Sequence, residues 1–98
     1  MDASALLEGI SERAAGVPPL GNTLKMDFGI TKVYVDGTGE SNVVSAIDED
    51  ADCVISVSPE DFMALVKGDL NPMMAMMTGK VKIKGDMGVA MKLQSLIG

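Results

Sequence analysis

Asn71-Pro-Met-Met-Ala-Met-Met-Thr-Gly-Lys-Val-Lys-Ile-Lys-Gly-Asp-Met-Gly-Val-Ala-Met-Lys-Leu-Gln-Ser-Leu-Ile97 contains three elements in 27 residues. Asn71 and Pro72 read as the cap and first residue of a short helix that Gly79 closes, since proline loses nothing where the amide has no helical partner. Lys80 to Lys84 alternates strictly, with Val81 and Ile83 facing inward and three lysines outward. That is an edge or half-exposed strand, and edge lysines discourage strand addition. Asp86 then caps a last helix over residues 87–97. Its residues Val89, Ala90, Leu93, Leu96 and Ile97 share one side, while Met87 and Met91 widen the apolar arc past Gln94. Such a helix is too apolar for an ordinary surface position. It is either wedged between layers or turned toward a ligand, lipid or partner.

The same stretch holds six of the nine methionines. Methionine is unbranched and polarisable, so it adapts to irregular space. Two readings follow: a soft core, or a surface that must fit something variable.

Working outward, residues 2–15 read as a helix, with Ala3, Leu6, Leu7, Ile10 and Ala14 at helical spacing. Gly16-Val-Pro-Pro-Leu-Gly21 ends it. Leu24, Met26 and Phe28 alternate with Lys25 and Asp27, and Val33 and Val35 alternate with Lys32 and Tyr34. Both are strands with one wet face. Asp36-Gly37-Thr-Gly39 is a hairpin signal, read as glycine supplying positive φ. Val43 to Ile47 makes a third strand. The acidic run Asp48-Glu49-Asp50-Ala51-Asp52 lacks the glycine and distal glutamate of a calcium loop and reads as a solvated loop. Cys53 to Ser58 is a fourth, more buried strand. Ser58, Pro59, Glu60 and Asp61 then open a helix that Gly68 ends. The result is an α+β fold, with helices over one face of a mainly antiparallel sheet.

Ninety-eight residues form one domain, and three aromatics leave an aliphatic, methionine-based core. The net charge of -6 excludes a general nucleic-acid binder, although residues 62–98 carry five bases against two acids. That local excess is either a solvated sheet face or a site for anionic head groups. The single Cys53 cannot form an internal disulfide, fits a cytoplasmic, reducing compartment, and reads as a small core residue. The N-terminus lacks a signal-peptide pattern, no run is long enough for a membrane span, and Leu96-Ile97-Gly98 matches no C-terminal address. With no histidine, no cysteine pair, no Gly-x-Ser-x-Gly and no phosphate loop, catalysis, a metal and a cofactor are not expected.

Ala51-Asp52-Cys53, Asp61-Phe62-Met63-Ala64-Leu65, Gly68, Asn71-Pro72, Gly79-Lys80-Val81-Lys82-Ile83 and Gly85-Asp86-Met87-Gly88-Val89-Ala90-Met91-Lys92-Leu93-Gln94 together resemble the sterol carrier protein 2 family. The match is close over about half the chain and lies in segment order elsewhere. The resemblance implies a five-stranded sheet, in the order α-β-β-β-crossover-β-α-α-β-α. It also implies an apolar tunnel between sheet and helices that takes up fatty acids, fatty acyl-coenzyme A, phospholipids or sterols without reaction. By position, Phe62, Leu65 and Val66 would form one wall, Met73, Met76 and Met77 a second, and Met87, Ala90 and Met91 a third. Gln94 would meet the ligand's polar end. Each of these also has a plain reading, as a core residue or, for Gln94, an exposed helix residue. The compact turn and acidic loop suit a small, free-standing, bacterial version, for which acyl lipids are better ligands than sterol. Lys80, Lys82 and Lys84 would touch an anionic membrane. The alternative is an interaction module whose last helix docks to a second copy or to an enzyme.

Overall fold

The alternating segments assemble into one sheet, and the amphipathic helices cover its apolar face. The computed structural model describes residues 3–92. In chain order these form α1 (Ala3–Ala15), β1 (Thr23–Asp27), β2 (Lys32–Asp36), β3 (Val43–Ser45), β4 (Cys53–Val57), α2 (Pro59–Lys67), α3 (Pro72–Met77), β5 (Val81–Gly85) and α4 (Met87–Lys92). The strands lie in the order β3-β2-β1-β4-β5. Three neighbouring pairs are antiparallel and the central β1–β4 pair is parallel. The sheet is therefore mixed, with one parallel seam inside an antiparallel frame. The seam follows from the crossover after β3, because a strand delivered by a long connection can enter in either direction.

Register places Leu24 and Met26 of β1, Val33 and Val35 of β2 and Ile55 of β4 on one face. They join Leu6, Ile10 and Ala14 of α1, Phe62 and Leu65 of α2, Ala75 of α3, and Val89 and Ala90 of α4 in one core. Phe28 and Phe62 meet edge to face at 5.2 Å, fixing the start of α2 to the end of β1. Cys53 is wholly buried in this core, and burial pushes its thiol pKa up. An inert packing role suits it.

The acidic run is an exposed loop, as expected, and residues 46–52 cross the polar face of the sheet. Lys25 and Tyr34, cross-strand neighbours on that face, both bond to it. Lys25 Nζ reaches Asp48 Oδ1 at 2.8 Å, and the Tyr34 hydroxyl donates to the Asp50 carbonyl at 3.3 Å. Thr23 and Asp52 exchange two hydrogen bonds at 2.9 and 3.0 Å. Tyr34 is buried as a result, although its strand position reads as wet.

Gly37 departs from its sequence reading. It does not have positive φ, and neither does Gly39. Its role is close approach, because a Cβ there would sit 2.6 Å from the Leu20 amide nitrogen and 2.7 Å from Asn42 Oδ1. Asn42 joins the hairpin to the chain after α1. Its Oδ1 accepts from Leu20 N–H at 3.0 Å, and its amide donates to the Ala14 and Pro18 carbonyls at 3.2 and 3.1 Å.

The third strand is shorter than expected, ending at Ser45 where the crossover leaves the sheet edge. The last helix is described as far as Lys92, whose ammonium bonds the Leu20 carbonyl at 2.7 Å and Asn22 Oδ1 at 3.0 Å. Leu93 to Gly98, including Gln94, lie outside the described residues.

Candidate functional site

Short helices need their ends satisfied, since nucleation is costly and few internal bonds offset it. In α2 the Ser58 hydroxyl accepts from Asp61 N–H at 3.1 Å, and Gly68 closes the helix in the left-handed conformation at φ 80°. In α3, Asn71 Oδ1 accepts from Met73 N–H at 2.8 Å, and the Thr78 hydroxyl donates to the Met74 carbonyl at 2.8 Å. In α4, Asp86 Oδ1 accepts from Gly88 N–H at 2.8 Å. These caps hold three short helices where their own hydrogen bonds would not.

What α3 presents is unusual. Its one buried residue is Ala75, while Met73, Met74, Met76 and Met77 are 68%, 53%, 40% and 78% exposed. Met87 and Met91 of α4 are 51% and 75% exposed. All six methionines of the opening stretch therefore face outward, and the soft-core reading fails for them.

The ten residues expected at the site separate into three groups. Phe62, Leu65 and Ala90 are buried in the core, and Val66 packs half-buried against it. Met73, Met76, Met77, Met87 and Met91 lie outside, and Gln94 falls beyond the described residues. Met74, which was not among the expected site residues, belongs to the same exposed run. Lys80, Lys82 and Lys84 are exposed as expected, with Val81 buried and Ile83 half-buried on the opposite face of β5.

A pocket of about 320 Å³ opens elsewhere, at the polar-face end of β1, β4 and β5. None of the ten expected residues lines it. Phe28, Val57, Ser56, Ser58, Lys80 and Lys82 do, together with Asp27. The register aligns Asp27 with Ser56 and Ser56 with Lys82, so three adjacent strands meet there. Asp27 is held by Gly29 N–H at 2.9 Å and Lys32 Nζ at 3.2 Å. The Gly29 amide, then Lys32, keeps its carboxyl below the ordinary value. No sequence motif announces this convergence, because it depends on strand order.

The chain matches the SCP-2 sterol transfer family over residues 5–98. It belongs to that family. Sterol carrier protein 2 of Homo sapiens is 48% identical over 58 residues, covering 59% of this chain and 11% of the human protein. The chain spans about a tenth of the length of that relative. The crystal structure of sterol carrier protein 2 like 2 from Aedes aegypti superposes with a TM-score of 0.72 at 23% identity, covering 92% of this chain and 91% of that one. The palmitated form of that mosquito protein gives 0.68 at 24% identity, covering 99% and 95%. At these identities the structures establish a shared fold.

Proposed function

We propose that this chain, as a single domain over residues 1–98, binds acyl lipids without reacting with them, and that its methionine face is where the acyl chain is taken up. The observation that carries this is the exposure of six methionines on α3 and α4, capped helices whose Ala75, Val89 and Ala90 join the core with Phe62 and Leu65. Leaving such side chains in water costs free energy that an acyl ligand would recover, at about 0.8 kcal/mol per buried CH₂. Flexible thioethers could close around chains of different length, forming the expected tunnel between α2, α3, α4 and the sheet. The palmitated form of the mosquito relative fits a fatty acyl ligand. Fatty acyl-coenzyme A and phospholipids share the needed chain, and Gln94 is the candidate partner for a polar end.

Lys80, Lys82 and Lys84 would dock the loaded protein on an anionic membrane, each contributing about 1 kcal/mol near the surface. A cytoplasmic setting suits the single buried thiol, and no helix among the described residues is long and apolar enough to cross a membrane. The exposure of Met87 and Met91 also favours a second reading, in which α4 docks to another copy or to an enzyme.

Native mass spectrometry of protein purified without detergent, followed by lipid extraction, tests the proposal. An acyl adduct near one-to-one is the expected result. A clean apo mass that also ignores added fluorescent fatty acid, joined to a stable dimer in sedimentation, would transfer the methionine face to the second reading.

A further inference from the structure

The pocket on the polar face carries chemistry that acyl binding does not use. Lys80 and Lys82 line it, and among the described residues neither has an ion-pair partner. Two like charges at alternate positions of one strand edge repel, and a shared anion would relieve that repulsion. Ser56, half-buried on β4, stands beside Lys82 in the register and brings a hydroxyl. The oxygen of Ser58 accepts from Asp61 N–H, and its hydroxyl proton is available to donate.

Asp27 is the one acid in the lining, and Gly29 and Lys32 already engage it. Glu60 and Asp61 follow Ser58 in the chain but do not line the pocket. The lining carries two cations, Lys80 and Lys82, against the one acid Asp27, which Lys32 already pairs. From Leu70 to Gly85 the sequence has no acid at all, in a chain whose net charge is -6. Phe28 and Val57 add an apolar floor beside the cations.

We propose that this pocket binds a phosphate group, with Lys80 and Lys82 supplying charge and Ser56 and Ser58 supplying hydroxyl donors. Two ammoniums and two hydroxyls suit a tetrahedral dianion, whose oxygens can each take a separate donor. The volume of about 320 Å³ also leaves room for the first carbons of an ester on the Phe28–Val57 floor. The phosphate can come from a lipid head group or from a free phosphate ion. The proposal goes beyond acyl uptake and shares no residue with the acyl site, while Lys80 and Lys82 also belong to the membrane-docking set proposed above.

The test is amide-resolved NMR titration of the full chain, in a phosphate-free buffer, with inorganic phosphate, hexyl phosphate and hexanoate. Saturable shifts centred on Gly29, Ser58 and Lys80 are expected. The Lys80→Gln/Lys82→Gln variant should bind about tenfold more weakly or worse, as loss of charge-assisted hydrogen bonds implies. Lys84→Gln lies on the same strand but outside the pocket, and should stay within about twofold. Hexyl phosphate binding more tightly than inorganic phosphate supports a lipid source, and equal binding supports a free ion. Shifts that never saturate, or equal losses from Lys84→Gln and the Lys80→Gln/Lys82→Gln variant, would reduce the pocket to diffuse charge and overturn the proposal. Hexanoate binding as well as hexyl phosphate would overturn the phosphate assignment. Fluorescent fatty-acid titration of the same variants keeps the two sites apart. Wild-type chain that ignores fatty acid but saturates with phosphate would sink acyl uptake and leave the pocket standing.

Discussion

Replacing Met77 by glutamine tests whether the methionine face serves folding or ligand. Met77 is 78% exposed, so folding covers only about a fifth of its side chain. Full burial of a methionine is worth about 1.5–3 kcal/mol, which leaves about 0.3–0.7 kcal/mol for this one. Glutamine matches methionine in length and helix propensity, so the change isolates apolarity. A urea melt should therefore move by about 0.7 M or less, taking a slope near 1–1.5 kcal/mol per M for a small domain. Leu65→Ala, one helix away in the core, should cost about 2–5 kcal/mol by the same assay. Ligand binding should rank the two the other way. If an acyl chain covers what folding leaves exposed, Met77→Gln loses about 1–2 kcal/mol of affinity, or about 5- to 30-fold in a fluorescent fatty-acid titration. Full retention of affinity would remove Met77 from the site. A stability loss above about 2 kcal/mol would show that the side chain is core in solution, and the argument from exposure would fail.

Three further outcomes follow from the fold. Asn42→Ala removes one acceptor and an amide that serves the chain after α1, so stability should fall by about 1–3 kcal/mol with an unchanged urea slope; a loss under about 0.5 kcal/mol would mean that water replaces the hub. Gly85→Ala combines φ of 105° with a Cβ placed 2.5 Å from the Asp52 carbonyl oxygen, and should cost about 1–3 kcal/mol or more, while Gly39→Ala, which meets nothing within 4 Å, should be close to silent in the same thermal melt. Lowering the pH should weaken the fold, because Asp27, Asp36, Asp48 and Asp52 are all held below their ordinary value of 3.8 by hydrogen bonds. The unfolded chain then takes up protons first, so their contribution is complete above about pH 5 and disappears as the pH falls through the lowered folded values. Urea midpoints that stay flat from neutral pH to below about 3 would contradict those bonds.

Local chemistry in the sequence determined most of the element order. Ser58-Pro59 and Asn71-Pro72 open helices, Asp86 caps a third, and Gly68 closes α2, because each acts on backbone groups within a few residues. Alternation along Lys80 to Lys84 determined both the strand and its wet face, since side chains on a strand must take opposite sides in turn. The linked motifs after residue 51 were equally local, and they carried the family.

Tertiary structure decided what lay between distant segments. Composition could not say whether the methionines were core or surface; Ala75 filling the contact under α3 turned them outward. Tyr34 and Lys25 looked solvent-facing until the acidic crossover passed over them. Gly37 looked like a residue chosen for its backbone freedom, and only the approach of Leu20 shows that it is there for space. The pocket at Asp27, Ser56 and Lys82 exists because β4 entered beside β1 in one register, and a one-residue slip would have turned those side chains into the core. Signals that act over a few bonds can be read along a chain, whereas those that depend on which surfaces meet exist only once the chain has folded.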